Sequence, residues 1–144
     1  MCVYYSHSID DTYEVGEKLG SHLKSGDVVA YFGSMGMGKT TFTHGLAKGL
    51  GIDAREVSSP TFALVHEYHG KSNTLYHFDM YRIESWDDLY STGYFDYLDM
   101  GGILAVEWSE NIENALPENC FRVYFSHGEN ENDRVIRIEG AELK

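Results

Sequence analysis

Eight residues constrain this chain more than any others: Gly33-Ser34-Met35-Gly36-Met37-Gly38-Lys39-Thr40. They fit the pattern GxxxxGK[ST] at every fixed position. They also fall between an apolar run at 28–32 and a stretch at 39–50 in which Phe42, Leu46 and Leu50 recur at helical spacing. Glycines at these places let successive backbone N–H groups converge on an anion, and the helix that follows adds the positive end of its dipole. The lysine would reach terminal phosphates, while the threonine hydroxyl would hold Mg²⁺. A strand–loop–helix of this kind predicts an α/β fold with parallel strands around the loop.

The rest of the pattern adds strands more than helices. Residues 2–6 read as a short strand. Ser8 with Asp11 resembles a capping box, and Ile9, Tyr13, Gly16, Leu19 and Leu23 predict a helix over about 9–24. Gly51 is the expected stop of the helix after the loop. Segments 62–68 and 74–81 flank a turn-rich pentapeptide and predict one antiparallel hairpin; 121–126 and 134–139 predict another. A short capped helix at 85–90 and a buried strand at 103–108 complete the reading. The expected architecture is a P-loop NTPase-like three-layer fold with a mixed sheet, parallel core strands and antiparallel hairpins on its flank. With 144 residues and no repeat or linker, 1–144 reads as one domain.

Charge narrows the partners. Eleven basic against 23 acidic side chains give a net charge of −12, and no Lys/Arg cluster breaks the balance, so nucleic-acid phosphates should be repelled. Any part in nucleic-acid chemistry would pass through a partner protein. No apolar run approaches the ~18 residues of a membrane helix, and Asp10, Asp11 and Glu14 arrive too early for a secretory signal. Cys2 and Cys120, without CxxC or Cys/His spacing, read as reduced thiols of a cytosolic protein. His66 and His69 point to opposite faces of their strand, which argues against zinc.

A P-loop needs a carboxylate at the end of a neighbouring strand, and the sequence offers two. Alternation in Leu75-Tyr76-His77-Phe78-Asp79-Met80-Tyr81 puts His77, Asp79 and Tyr81 on one face, whereas Ile103-Leu104-Ala105-Val106 ends abruptly in Glu107. Between them as metal ligand the residues alone leave the choice open. In Ser58-Ser59-Pro60-Thr61-Phe62, proline stiffens the approach to Thr61, a hydroxyl suited to a switch segment, but the residues alone favour an ordinary Ser/Pro turn entering a strand. Without an Asn-Lys-x-Asp segment to read guanine, ATP is the default nucleotide.

Taken in order, GSMGMGKTT, SSPTF, HFDMYR and VEW resemble the TsaE (formerly YjeE) family, the P-loop ATPases of bacterial tRNA threonylcarbamoyladenosine biosynthesis. The resemblance spans residues 33 to 108. It implies a cytoplasmic ATPase working with two partner proteins that modify the adenosine beside the anticodon, with tRNA met only through them. It implies that Gly33, Ser34, Met35, Gly36, Met37, Gly38, Lys39, Thr40 and Thr41 hold ATP and that Thr40 and Glu107 ligate Mg²⁺. It further implies that Asp79 lies near the γ-phosphate, that Thr61 sits in the switch and that Trp108 is needed for activity. The chain departs from the family pattern at Ser34, where an acid is usual, at Met37, where a small residue is usual, and at Ser109, often proline. The alternatives are a small-molecule kinase, against which the scattered arginines Arg55, Arg82, Arg122, Arg134 and Arg137 argue by offering no lid, and a nucleotide-gated binding module.

Overall fold

The computed structural model describes residues 2–33, 38–53, 65–70, 72–80 and 82–140. Ser34, Met35, Gly36, Met37, Thr61 and Tyr81, together with Arg55 and the rest of the SSPTF segment, lie outside the described residues.

A seven-stranded mixed sheet runs in the order β1-β7-β6-β2-β5-β4-β3. Its strands are β1 (Cys2–Ser6), β2 (Val28–Phe32), β3 (Val65–His69), β4 (Thr74–Asp79), β5 (Ile103–Glu107), β6 (Phe121–His127) and β7 (Arg134–Glu139). The four middle strands β6, β2, β5 and β4 are mutually parallel, and β1–β7, β6–β7 and β3–β4 pair antiparallel. Both expected hairpins are therefore present, on opposite flanks of the parallel centre. β2 is buried at every position, as an apolar strand covered on both faces must be.

Helices α1 (Ile9–Gly20) and α2 (Lys39–Gly49) cover one face. α3 (Trp86–Ser91), α4 (Tyr94–Leu98) and a 3₁₀ segment (Ser109–Ala115) cover the other. Leu19, Leu23, Phe42, Leu46 and Leu50 pack on Val29, Tyr31 and Ala105 in the first layer. Leu89, Tyr94 and Ile112 pack on Ala30, Phe78 and Val106 in the second.

The starts of the helices follow their sequences. Ser8 accepts the Asp11 N–H, with Asp11 in turn accepting from the His7 N–H, and Ser85 accepts from Asp88 in the same way. α1 is shorter than expected: it stops at Gly20, and Leu23 is buried in the turn that follows. Ile9 does not join the buried face, being 74% exposed; that face runs through Thr12, Gly16, Leu19 and Gly20. α4 and the 3₁₀ segment have no counterpart in the periodicity reading; each is too short for a helical pattern to repeat.

Candidate functional site

The parallel strands bring the predicted residues to one edge. β4 and β5 pair with Asp79 opposite Glu107, and β5 pairs with β2 through Ala30 opposite Val106. The carboxyl ends of β2, β4 and β5 therefore lie side by side, where ligands bind in open parallel sheets. The two carboxylates that competed in the sequence are register neighbours. Glu107 O accepts the Met80 N–H at 3.0 Å and Met80 O accepts from Asn111 Nδ2 at 2.8 Å, which ties the two strand ends together.

Gly33 follows β2 directly with φ +133°, and a Cβ there would stand 2.7 Å from the Phe125 carbonyl oxygen, so only glycine fits. Gly38, at φ +90°, caps α2 without a side-chain hydrogen bond. Lys39 opens α2 and is only 6% exposed. Its ammonium donates to the Gly33 carbonyl and sits 5.0 Å above the Trp108 ring. Burial lowers the Lys39 pKa, and the carboxylates of Glu107, Glu110 and Asp79, in that order, act to raise it again.

Trp108 is the only non-glycine residue at positive φ among the described residues, at 59°. This conformation costs an ordinary side chain about 1–3 kcal/mol and collects at functional sites. It turns the chain from β5 into the 3₁₀ segment, which Ser109 starts by donating its hydroxyl to Val106 O at 2.8 Å. Below the site, Thr43 Oγ1 donates to Lys39 O at 2.8 Å and shares a hydrogen bond with the Tyr31 hydroxyl at 2.9 Å. Burial pushes the Tyr31 phenol pKa far up, with the Glu107 charge adding to it.

Of the predicted site residues that are described, Gly33, Lys39, Asp79, Glu107 and Trp108 converge, and Gly38, Thr40 and Thr41 lie on the turn that carries Lys39. Sequence reading missed Glu110, which accepts the Gly33 N–H at 3.4 Å and adds charge beside Lys39. Its only signal was an acid three residues after Glu107. Beside the start of α2 opens a cleft of about 580 Å³ lined by His7, Ile9, Thr12, Gly38, Thr41 and Arg134. Among the described residues, His/Cys/Asp/Glu side chains form no metal-binding cluster by themselves, and no helix is long and apolar enough to cross a membrane.

A glycine-rich turn leading from a central parallel strand into a helix, with carboxylates on the next strand ends, defines a P-loop protein on a mixed α/β sheet. The family model described as threonylcarbamoyl adenosine biosynthesis protein TsaE matches residues 6–136, and the chain belongs to that family. A Treponema pallidum (strain Nichols) protein described as tRNA threonylcarbamoyladenosine biosynthesis protein TsaE is 42% identical over 113 residues, 78% of this chain and 82% of its own. One of the same description from Bacillus subtilis (strain 168) is 38% identical over 132 residues, 91% of this chain and 82% of its own. The crystal structure of Bacillus subtilis YdiB superposes with a TM-score of 0.73 at 29% identity, covering 94% of this chain and 82% of that one.

Proposed function

We propose that this chain binds ATP with Mg²⁺ and hydrolyses it slowly, as the nucleotide-driven subunit of the cytoplasmic machinery that forms threonylcarbamoyladenosine beside the tRNA anticodon. The observation that carries this reading is Lys39: a lysine held 6% exposed beside Gly33 and Trp108, with Glu107, Glu110 and Asp79 supplying the opposing field. A buried ammonium facing an acid-lined mouth suits polyphosphate and a divalent cation together, each neutralising what the other brings.

In this reading Lys39 binds the terminal phosphates, and the amides from Gly33 to Thr41 cradle the chain of phosphates. Thr40 and Glu107 would hold Mg²⁺, and the ion when bound would supply neutralisation of phosphate charge. Asp79 orients water near the γ-phosphate and Thr61 belongs to the switch. Trp108 covers the lysine and excludes solvent. The cleft beside Gly38 and Thr41, with the exposed Ile9 on its rim, takes the nucleoside end. Partner proteins carry out the threonylcarbamoyl transfer, and tRNA is met through them.

Lys39→Ala tests the reading by calorimetry of ATP binding, with circular dichroism to confirm the fold. A sharp loss of affinity in a folded variant is expected, and unchanged affinity would overturn it.

A further inference from the structure

His77 is wholly buried in the middle of β4, on the α2-facing side of the sheet. Its Nε2 lies 2.7 Å from Glu107 Oε2, yet the contact is not aligned as a hydrogen bond, and neither ring nitrogen has an aligned partner among the described residues. A fully buried imidazole costs stability that an aliphatic strand residue would not, so its presence calls for a return. The register gives the setting. His77 pairs with Ala105 and Asp79 with Glu107, so the Glu107 side chain reaches back along the strand past the small Ala105. The neighbours on this face, Leu75, Ile103 and Tyr31, are fully buried too, while the Glu107 side chain keeps 13% of its surface exposed.

We propose that His77 is a positioning residue for Glu107: its imidazole engages Oε2 and fixes the carboxylate so that its other oxygen serves the cation. The close but unaligned contact is the one that a small rotation of the carboxylate would bring into line. Groups that orient a metal's ligands from behind typically contribute 10–100-fold to its affinity. The inference rests on the reading of Glu107 as a metal ligand.

The experiment uses the full chain with ADP and follows Mn²⁺ binding by electron paramagnetic resonance, alongside calorimetry of ADP binding without metal. The variants are His77→Phe and His77→Leu, which remove the polar ring, His77→Gln, which keeps a donor, and Glu107→Ala. Circular dichroism selects the folded ones. Mn²⁺ affinity should fall about 10–100-fold in the apolar variants and return largely in His77→Gln, with metal-free ADP affinity unchanged. Unaltered Mn²⁺ affinity in a folded apolar variant, metal-free ADP affinity falling in step, or a folded His77→Gln no better than its apolar counterparts would each overturn the role. Retained Mn²⁺ affinity in Glu107→Ala would instead remove the reading on which it rests. Loss in Glu107→Ala but not at His77 would sink this inference alone.

Discussion

Lys39 carries its ammonium into a place where burial works against the charge and three carboxylates work for it. That balance ties each acid to a separate consequence. If Glu107 ligates the metal, Glu107→Ala should lose at least about tenfold in Mg²⁺-dependent ATP affinity, about 1.4 kcal/mol. Asp79→Ala should bind ATP nearly as before and fail to turn it over. Calorimetry with and without Mg²⁺, paired with phosphate release, reads both variants, and the reverse pattern would exchange the roles. At this scale the sequence was informative where chemistry is local. The loop motif named Lys39, strand alternation named Asp79, and an apolar run ending in an acid named Glu107. What it left out depends on pairing between distant strands. That Asp79 and Glu107 are neighbours, and that His77 reaches Glu107, follows from the β4–β5 register. Glu110 meets Gly33 in the segment that follows Trp108, where the chain turns at positive φ. No residue pattern announces a tryptophan in that conformation.

Two close approaches between elements hold the loop's supports in place. α1 and α2 cross with glycines on both sides. A Cβ on Gly16 or Gly20 would stand 2.2 or 2.3 Å from the carbonyl oxygens of Phe42 or Leu46, and one on Gly45 or Gly49 would stand 2.0 or 2.3 Å from those of Tyr13 or Glu17. Backbone meets backbone, so no side chain can give way. Gly45→Ala gains up to about 1 kcal/mol of helix propensity, but it forces the helices apart. Overpacking costs typically 1–3 kcal/mol and occasionally more; with no flexible atom to yield, a net loss of about 2 kcal/mol is expected. Urea unfolding measures it, with the exposed Glu14→Ala as a control that should stay within about 0.5 kcal/mol. Equal or greater stability in Gly45→Ala would show that the pair is loosely packed. The second approach joins the turn before α1 to the β6–β7 turn through His7 Nδ1 and Asp133 Oδ1, 2.9 Å apart. The hydrogen bond to Asp133 raises the His7 pKa above 6.5, and the bond to His7 lowers that of Asp133 below 3.8. The pair's small contribution is therefore complete between pH 3.8 and 6.5. It is lost as pH rises through the raised His7 value or falls through the lowered Asp133 value. The His7 ring should titrate above 6.5 by NMR and move back toward it in Asp133→Asn; an unmoved midpoint would refute the tie. Helix periodicity and both hairpins were legible because their patterns are local. The crossing was not, since Gly16 reads equally as a helix weakness or as a point of contact.

Charge is distributed over the whole molecule in a way that bears on what can activate it. Of a net charge of −12, much falls between Ile83 and Phe121, where Glu84, Asp87, Asp88, Asp96, Asp99, Glu107, Glu110, Glu113 and Glu118 occur without one lysine, arginine or histidine. That stretch includes α3, α4 and the 3₁₀ segment, and it reaches the phosphate loop at Glu107 and Glu110. An RNA backbone approaching this end meets like charge, whereas a protein surface bearing arginine or lysine is drawn to it. The site itself has a cation deficit: Lys39 is the one basic side chain in the loop motif, and Arg82 is exposed. Charge neutralisation at the γ-phosphate limits such sites, and an arginine supplied from outside can add ~10³–10⁵ in rate. Hydrolysis by the isolated chain should therefore be slow, tRNA alone should leave it slow, and the partner proteins should accelerate it. Steady-state phosphate release measures all three, at low and at raised salt, because attraction to an acidic end weakens as ions screen it. Acceleration by the partners should shrink as salt rises, while the basal rate should move less. Brisk turnover by the pure chain, or full activation by tRNA without protein, would mean that missing positive charge does not limit hydrolysis by the isolated chain.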